Sequence, residues 1–308
     1  MAAASEKENF VIVIHAGAEN KSRGEVGPEK EKAYRQGLHE ALQAGWGILN
    51  RGGTAVEAVE GAVRSLEDNP LFNAGRGGAL TQTGKTAFDA AIMNGENLNT
   101  GAVMGVKNVK NPITLARTIM EKSDHVALSG QGALAYAKEE ELELMPNPYF
   151  ITAEKVQELE KAQKQELGEL ARDTVGAVAL DKAGNLAAAT STGGLTGQYD
   201  GRIGDSPLIG CGTYANNEVC AVSCTGDGES IIRAVVAHEV YAMVKYKGLS
   251  LADAARQARE GYRDKVEKDI NLIALSPAGD IALEYETQLM FRGYRKGQDP
   301  PVVAIWED

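Results

Sequence analysis

The sequence predicts an α/β protein in which antiparallel sheets are layered under helices. Three observations carry that reading. Two pairs of short apolar runs, 175–180 with 185–190 and 271–275 with 280–285, are joined by turns (KAGN and SPAG) too short for a parallel crossover. Helix-period stretches and strands fall in clustered blocks, the pattern of sheets covered by helices. Residues 10–14 (FVIVI) are apolar at every position, as in a strand buried on both faces.

After that first strand, Tyr34, Leu38, Ala41, Leu42, Gly45, Ile48 and Leu49 follow helical spacing, and Gly52-Gly53 stops the helix. Thr54 and Glu57 form a T-x-x-E capping box for a helix that buries Val56, Val59, Val63 and Leu66 and ends at Asn69-Pro70. The glycine-rich stretch 71–86 reads as a loop or short hairpin. Strands are expected near 87–93 and 101–106, and helices from about Pro112 and Gly130. Segment 153–170 is helix-prone but charged almost all round, so it reads as a solvated helix or, as we take it through 173, a flexible linker. Beyond the first hairpin come a strand at 219–224 and a helix at 229–245. There is no internal repeat.

Bulk properties narrow the function classes. Length alone suggests roughly two domains, but single α/β domains of 308 residues exist. A chain of this size can bury about 75% of its unfolded surface. The net charge of −11 argues against nucleic-acid and anionic-membrane partners and fits simple solubility. No apolar run approaches the roughly 20 residues of a membrane span, and the first residues lack a signal-peptide core. Three cysteines, Cys211, Cys220 and Cys224, without C-x-x-C spacing fit a reducing, cytoplasmic setting.

Of the four histidines, His39 and His238 lie in helical patterns, and no H-E-x-x-H, P-loop or G-x-S-x-G pattern occurs. Residues 222–230 (VSCTGDGES) run strand, glycine turn, helix. A dinucleotide site would need a third glycine, and an aspartate stands where pyrophosphate would sit. The same turn still offers backbone N–H groups and a threonine hydroxyl to an oxyanion. Thr174 stands where the charged segment meets an apolar strand. It is either a plain strand start or a nucleophile. In the second case, cutting the Asp173–Thr174 bond frees an α-amine with a pKa of about 7.7–8.0, able to deprotonate the threonine's own hydroxyl.

The motifs DTVGAVALDKAGNLAAATSTGG, GRIGDSPLIGCGTYANN and SCTGDGES occur in that order, with HAGA, EGAVRSLEDNPLFNAGRGGALT and NPITLAR upstream. Together they resemble the plant-type (type III) L-asparaginase and isoaspartyl peptidase family of N-terminal-nucleophile hydrolases, over nearly the whole chain. The resemblance implies a single domain with a four-layer αββα sandwich, self-cleaved between Asp173 and Thr174 into an α-part (1–173) and a β-part (174–308), with two αβ protomers forming a dimer. It implies hydrolysis of L-asparagine and of β-aspartyl (isoaspartyl) dipeptides by Thr174. Thr192 matches a threonine that bonds the nucleophile, and Thr225 and Gly226 match the oxyanion hole. Arg202 matches the holder of the substrate α-carboxylate, a role suited to a two-pronged guanidinium. Asp205 matches the holder of the substrate ammonium group, although an Arg and an Asp three residues apart can also simply pair. Gly228 matches a further backbone contact to substrate, and Asn73 an asparagine near the nucleophile. No catalytic cofactor is implied. A structural sodium ion is, held mostly by the backbone carbonyls of Leu66, Glu67, Asn69, Phe72, Ala74 and Arg76.

Two stretches depart from the family pattern. His15-Ala16-Gly17-Ala18 replaces a more glycine-rich loop, and DKVEKDINLIAL replaces a paired-glycine stretch near the C-terminal strand. If position 16 needs positive φ, alanine there costs about 1–2 kcal/mol. That would slow self-cleavage roughly five- to thirty-fold. Rival readings are a glycosylasparaginase-like amidase, an uncleaved binding protein on the same fold, and a dinucleotide-binding oxidoreductase.

Overall fold

A computed structural model describes residues 9–164, 173–262, 264–266 and 269–307. In chain order the elements are β1 (Val11–Glu19), α1 (Arg23–Val26), α2 (Pro28–Asn50), α3 (Ala55–Asp68), β2 (Phe88–Asn94), β3 (Thr100–Val106), α4 (Pro112–Lys122), β4 (Ala127–Ser129), α5 (Gly130–Glu139) and α6 (Ala153–Gln163). They continue with β5 (Val175–Leu180), β6 (Leu186–Thr192), β7 (Thr213–Asn216), β8 (Cys220–Gly226), α7 (Gly228–Ala234), α8 (Val236–Lys247), α9 (Leu251–Glu260), β9 (Ile270–Leu275), β10 (Ile281–Glu284), β11 (Leu289–Lys296) and β12 (Val302–Trp306).

Eight strands form one sheet in the order β12-β11-β1-β5-β6-β2-β3-β4, and four form a second in the order β10-β9-β8-β7. Strand alternation assigns side chains to three cores. Ile12, Ile14, Ala177, Ala179, Ala187 and Ala189 face α2 and α3 across the outer side of the large sheet. Val11, Val13, Val178, Leu180 and Ala188 meet Ala221, Ile273 and Leu275 between the sheets. Val222, Cys224, Leu272 and Ala274 pack under α8 and α9. The layers are therefore helix, sheet, sheet, helix. Strands such as β5 and β9 are buried at every position, which is why they read as unbroken apolar runs.

Both expected hairpins form, β5 with β6 and β9 with β10. The capping box is present: Thr54 Oγ1 accepts from Glu57 N at 3.2 Å, and the Glu57 carboxylate accepts from Thr54 N at 2.8 Å. Residues 71–86 are loop, with no strand.

Two expectations need correction, and one rival reading falls. Residues 153–163 of the expected flexible linker are helix α6. Thr152 Oγ1 caps it through Lys155 N at 3.2 Å, and Lys155 and Leu159 are buried despite the charge around them. The rest of that linker, 165–172, lies outside the described residues. The expected helix 229–245 is two helices, α7 and α8, broken at Val235 with φ 50° and ψ 45°. Left-handed backbone is unusual for a β-branched residue. Here the break lets Ala237 N and His238 N donate to Cys211 O and Gly210 O at 3.0 and 2.8 Å, which meets the free N–H groups at the start of α8. Finally, Asp227 does not leave the turn before α7 open to a pyrophosphate. Its carboxylate caps the helix, accepting from Ser230 N at 3.0 Å and Ser230 Oγ at 2.7 Å, so the dinucleotide reading fails.

Strand β1 carries the feature that shapes the site. Its register with β11 passes from His15↔Arg292 to Ala18↔Met290, so three steps on β1 span two on β11. Gly17 in that bulge has φ 107°, and a Cβ on it would collide with the Asp173 carboxyl. Ala16 pairs with Val175 and is not among the residues of positive φ. The left-handed position in this loop is therefore 17, where glycine is retained, and the expected penalty at Ala16 has no basis in this geometry.

Candidate active site

Thr174 precedes β5 and is only 4% exposed, lying where the ends of interior strands of both sheets, β5, β6 and β8, meet. Its Oγ1 donates to Thr192 Oγ1 at 3.3 Å, and its N donates to Thr225 Oγ1 at 3.2 Å. The three threonines come from the start of β5, the end of β6 and β8, so both sheets contribute.

A second set of bonds surrounds the peptide group just before it. The carbonyl oxygen of Asp173 accepts from Asn73 Nδ2 at 2.6 Å and from Thr192 Oγ1 at 3.3 Å. Asn73 Oδ1 accepts from Ala79 N at 2.7 Å, and because an N–H can only donate, the nitrogen must be the end that faces Asp173. The chain around Asn73 is held by Gly193 N, which donates to Asn73 O at 2.8 Å. Asn73 was expected near the nucleophile. The structure places it on the carbonyl of the chain itself.

The Asp173 carboxyl is buried beside Glu19, with Lys21 and Lys155 near. Burial and the Glu19 charge push it well above the usual carboxylate range. Glu19 is opposed by burial, but its bond from Asp173 and the adjacent Lys21 ammonium hold it below the usual range.

On β8, Gly226 has φ 127°, and a side chain there would strike the Asp269 carbonyl. Asp227 N makes the ladder bond to Asp269 O at 2.9 Å, so antiparallel alternation turns the Gly226 N–H away from β9. That leaves it free to meet an acceptor.

Arg202, Asp205 and Gly228 converge beyond this point. The position of a Cβ on Gly228 lies 2.8 Å from Arg202 Nη2 and 2.9 Å from Asp205 Oδ1. The guanidinium makes its two-pronged bond to Glu229, through Nε and Nη2 at 3.0 Å each, rather than a simple pair with Asp205. Asp205 Oδ2 is buried without a hydrogen-bond partner among the described residues, and burial pushes the carboxyl up to about 7. Asp89, which accepts from Gly204 N and Gly105 N, is pushed up to about 6 by the same cause and anchors the loop that carries Arg202.

Sequence reasoning missed two residues here. Glu229 carried no signal beyond following the glycine turn. His15 had one, a polar residue continuing a buried run. It is fully buried, and burial lowers it to about 3, so it is neutral. Its Nε2 meets Ser223 Oγ at 2.8 Å, and the chain continues through Thr190 and Thr213, at 2.7 Å each, to Ser206 O at 3.0 Å.

The six residues of the expected cation loop lie together at the end of α3. Leu66, Glu67, Asn69 and Phe72 each accept one backbone bond on the carbonyl, which leaves a second lone pair on each. Gly75 and Gly77 fold the chain back over these carbonyls with φ of 50° and 94°. A Cβ on Gly75 would stand 2.5 Å from Glu67 O, and one on Gly77 would stand 3.0 Å from Phe72 O. The Glu67 carboxyl is not part of this cradle. It accepts from Ile113 N and Ser191 Oγ, and burial pushes it up to about 8. Among the described residues, no cluster of three or more His, Cys, Asp or Glu side chains could hold a metal, and no helix is long and apolar enough to cross a membrane.

Comparison with known proteins gives a consistent set. The model of the asparaginase family matches residues 8–305. The isoaspartyl peptidase of Salmonella typhimurium is 41% identical, covering 97% of this chain and 99% of its own length. That of Escherichia coli is 40% identical over 97% and 96%. The isoaspartyl peptidase/L-asparaginase of Homo sapiens is 40% identical over 92% of each chain.

Proposed function

The chain belongs to the asparaginase family, and from that premise we propose that it hydrolyses L-asparagine and β-aspartyl dipeptides with Thr174, after cutting its own chain before that residue. The observation that carries the reading is the Asp173 carbonyl, gripped by Asn73 and Thr192 while the Thr174 hydroxyl bonds the same Thr192. In self-cleavage, Thr174 Oγ1 attacks the Asp173 carbonyl carbon, and the oxyanion forms on an oxygen that already has two donors. The C–N bond breaks, the nitrogen takes the hydroxyl proton, and water hydrolyses the resulting ester.

The freed α-amine then serves as base for its own hydroxyl. Arg202 takes the substrate α-carboxylate in exchange for Glu229, Asp205 takes the ammonium group, and Gly228 leaves room for both. Thr174 Oγ1 attacks the β-carbonyl carbon, and the new oxyanion falls to Thr225 Oγ1 and the Gly226 N–H. Ammonia or an amino acid leaves with the proton, and water hydrolyses the β-aspartyl ester. The cradle at 66–76 is a site for a structural sodium ion on backbone carbonyls, a reading supported by the way Gly75 and Gly77 close over it.

Mass spectrometry of the purified protein tests this. A fragment beginning at Thr174 is expected, with ammonia release from L-asparagine. Thr174→Ala should remain one chain and lose roughly 10⁴–10⁶-fold in turnover. A single uncleaved wild-type chain after long incubation would favour a binding protein on the same fold instead.

A further inference from the structure

Asn271 lies in β9 directly opposite Thr225 of β8. Its neighbours Leu272 and Ala274 face the helices, whereas Ile273 and Leu275 face the large sheet. Alternation therefore places the Asn271 side chain between the sheets, on the face that carries Thr225. It is fully buried. Its Oδ1 accepts from Glu286 N at 3.1 Å, and since that N–H can only donate, the other end of the amide is the nitrogen. Nδ2 has no partner among the described residues. It lies 3.3 Å from the point a Cβ on Gly226 would occupy, beside the turn whose N–H faces away from β9. A buried donor left unmet is costly, and this one stands beside two groups already assigned to an oxyanion.

We infer that Asn271 Nδ2 is a third donor to the acyl oxygen of the substrate, alongside Thr225 Oγ1 and the Gly226 N–H. The inference rests on the reading of Thr174 as nucleophile. As the Thr174 Oγ1–carbon bond forms, the carbonyl π pair moves onto oxygen, and the Asn271 amide then meets a full negative charge. When the pair returns, the C–N bond breaks and the leaving nitrogen takes the proton held by the α-amine. The asparagine adds nothing to self-cleavage, whose oxyanion is held by Asn73 and Thr192.

Two variants in the full chain test it. Asn271→Ala removes the side chain. Asn271→Asp keeps an acceptor for Glu286 N but replaces the donor with an acceptor. Both should cleave themselves with a half-life within about threefold of wild type. In the cleaved enzyme, kcat should fall by about 10²-fold for L-asparagine and equally for a β-aspartyl dipeptide, with KM within about threefold. For Asn271→Asp the loss should deepen as pH rises from about 5 to 8, because a carboxylate then faces the oxyanion. An Asn271→Asp enzyme with kcat within about twofold of wild type overturns the inference. So does a loss confined to KM or to one substrate, or failure of both variants to cleave. Wild-type enzyme that is cleaved and active, beside unchanged variants, sinks this inference alone; uncleaved wild-type protein sinks the underlying reading.

Discussion

One hydroxyl, that of Thr174, sits between two groups of donors, one at the end of the large sheet and the loop beside it, the other on the small sheet. On one side, Asn73 of the 71–86 loop and Thr192 of the large sheet donate to the Asp173 carbonyl, an acceptor in the chain itself. On the small sheet, Thr225 takes the Thr174 N–H, and the Gly226 N–H is turned away from β9. The first group is filled in the uncut chain, whereas the second keeps a donor in reserve. On the proposed mechanism this one hydroxyl runs two acyl transfers with separate supports, one spent once and the other used at every turnover.

The sharpest way to break this division is to remove one donor from each side. Asn73→Ala should slow self-cleavage by about 10²–10³-fold, while the kcat of whatever cleaved enzyme accumulates stays within about threefold. Thr225→Ala should show the reverse. Timed denaturing gels and steady-state kinetics on both proteins decide it, and equal damage to both reactions by either variant would merge the two sites into one.

A smaller effect comes from Asp205. Burial raises it from the ordinary carboxylate value to about 7, so it carries charge only above that pH. As pH falls below 7, KM for L-asparagine should rise, by up to about tenfold per unit, and it should level off above 7. Asp205→Asn should give a high KM with no such slope. A wild-type KM flat between pH 5 and 8 would remove Asp205 from ammonium binding. The smallest effect is expected at Ala16. Because Gly17 and not Ala16 carries the positive φ, Ala16→Gly should leave the cleavage half-life within about twofold. A marked acceleration would show that the bulge changes shape during the cut.

What could be read from the sequence followed the strength of local signals. The two hairpins and the Thr54 capping box were legible because each is fixed by residues a few positions apart. Strand β7 has only four residues, and β11 mixes Arg292, Gly293, Arg295 and Lys296 into its run, so neither shows a clean apolar pattern. Helix α6 was taken for linker because its buried face is thin, with Lys155 and Leu159 its buried residues. The break at Val235 was invisible because valine is among the last residues expected in left-handed backbone. Local signals raised Thr174 as one of two readings and the 222–230 turn as an oxyanion site, but the assembled site was legible only through resemblance. Thr174, Thr192 and Thr225 are separated by 18 and 33 positions and meet through sheet registers that no periodicity reveals. Asn73 was found in that way, without its bond to the Asp173 carbonyl. Asn271 and His15 went unread, since each owes its meaning to the strand beside it.

The Arg202–Glu229 pair has a consequence for selectivity. The guanidinium is already forked onto a carboxylate at 3.0 Å on both prongs, so on the proposed reading a substrate α-carboxylate does not fill a vacancy there but exchanges one anion for another. The net gain is a difference between two similar contacts, so the fork adds little to overall tightness. An aspartyl compound whose α-carboxylate is capped as an amide or buried in a peptide link has no anion to trade, and for it the exchange runs uphill. On the proposed reading of Arg202, Glu229, 53% exposed beside the fork, acts as an internal reference ligand that a substrate α-carboxylate has to match.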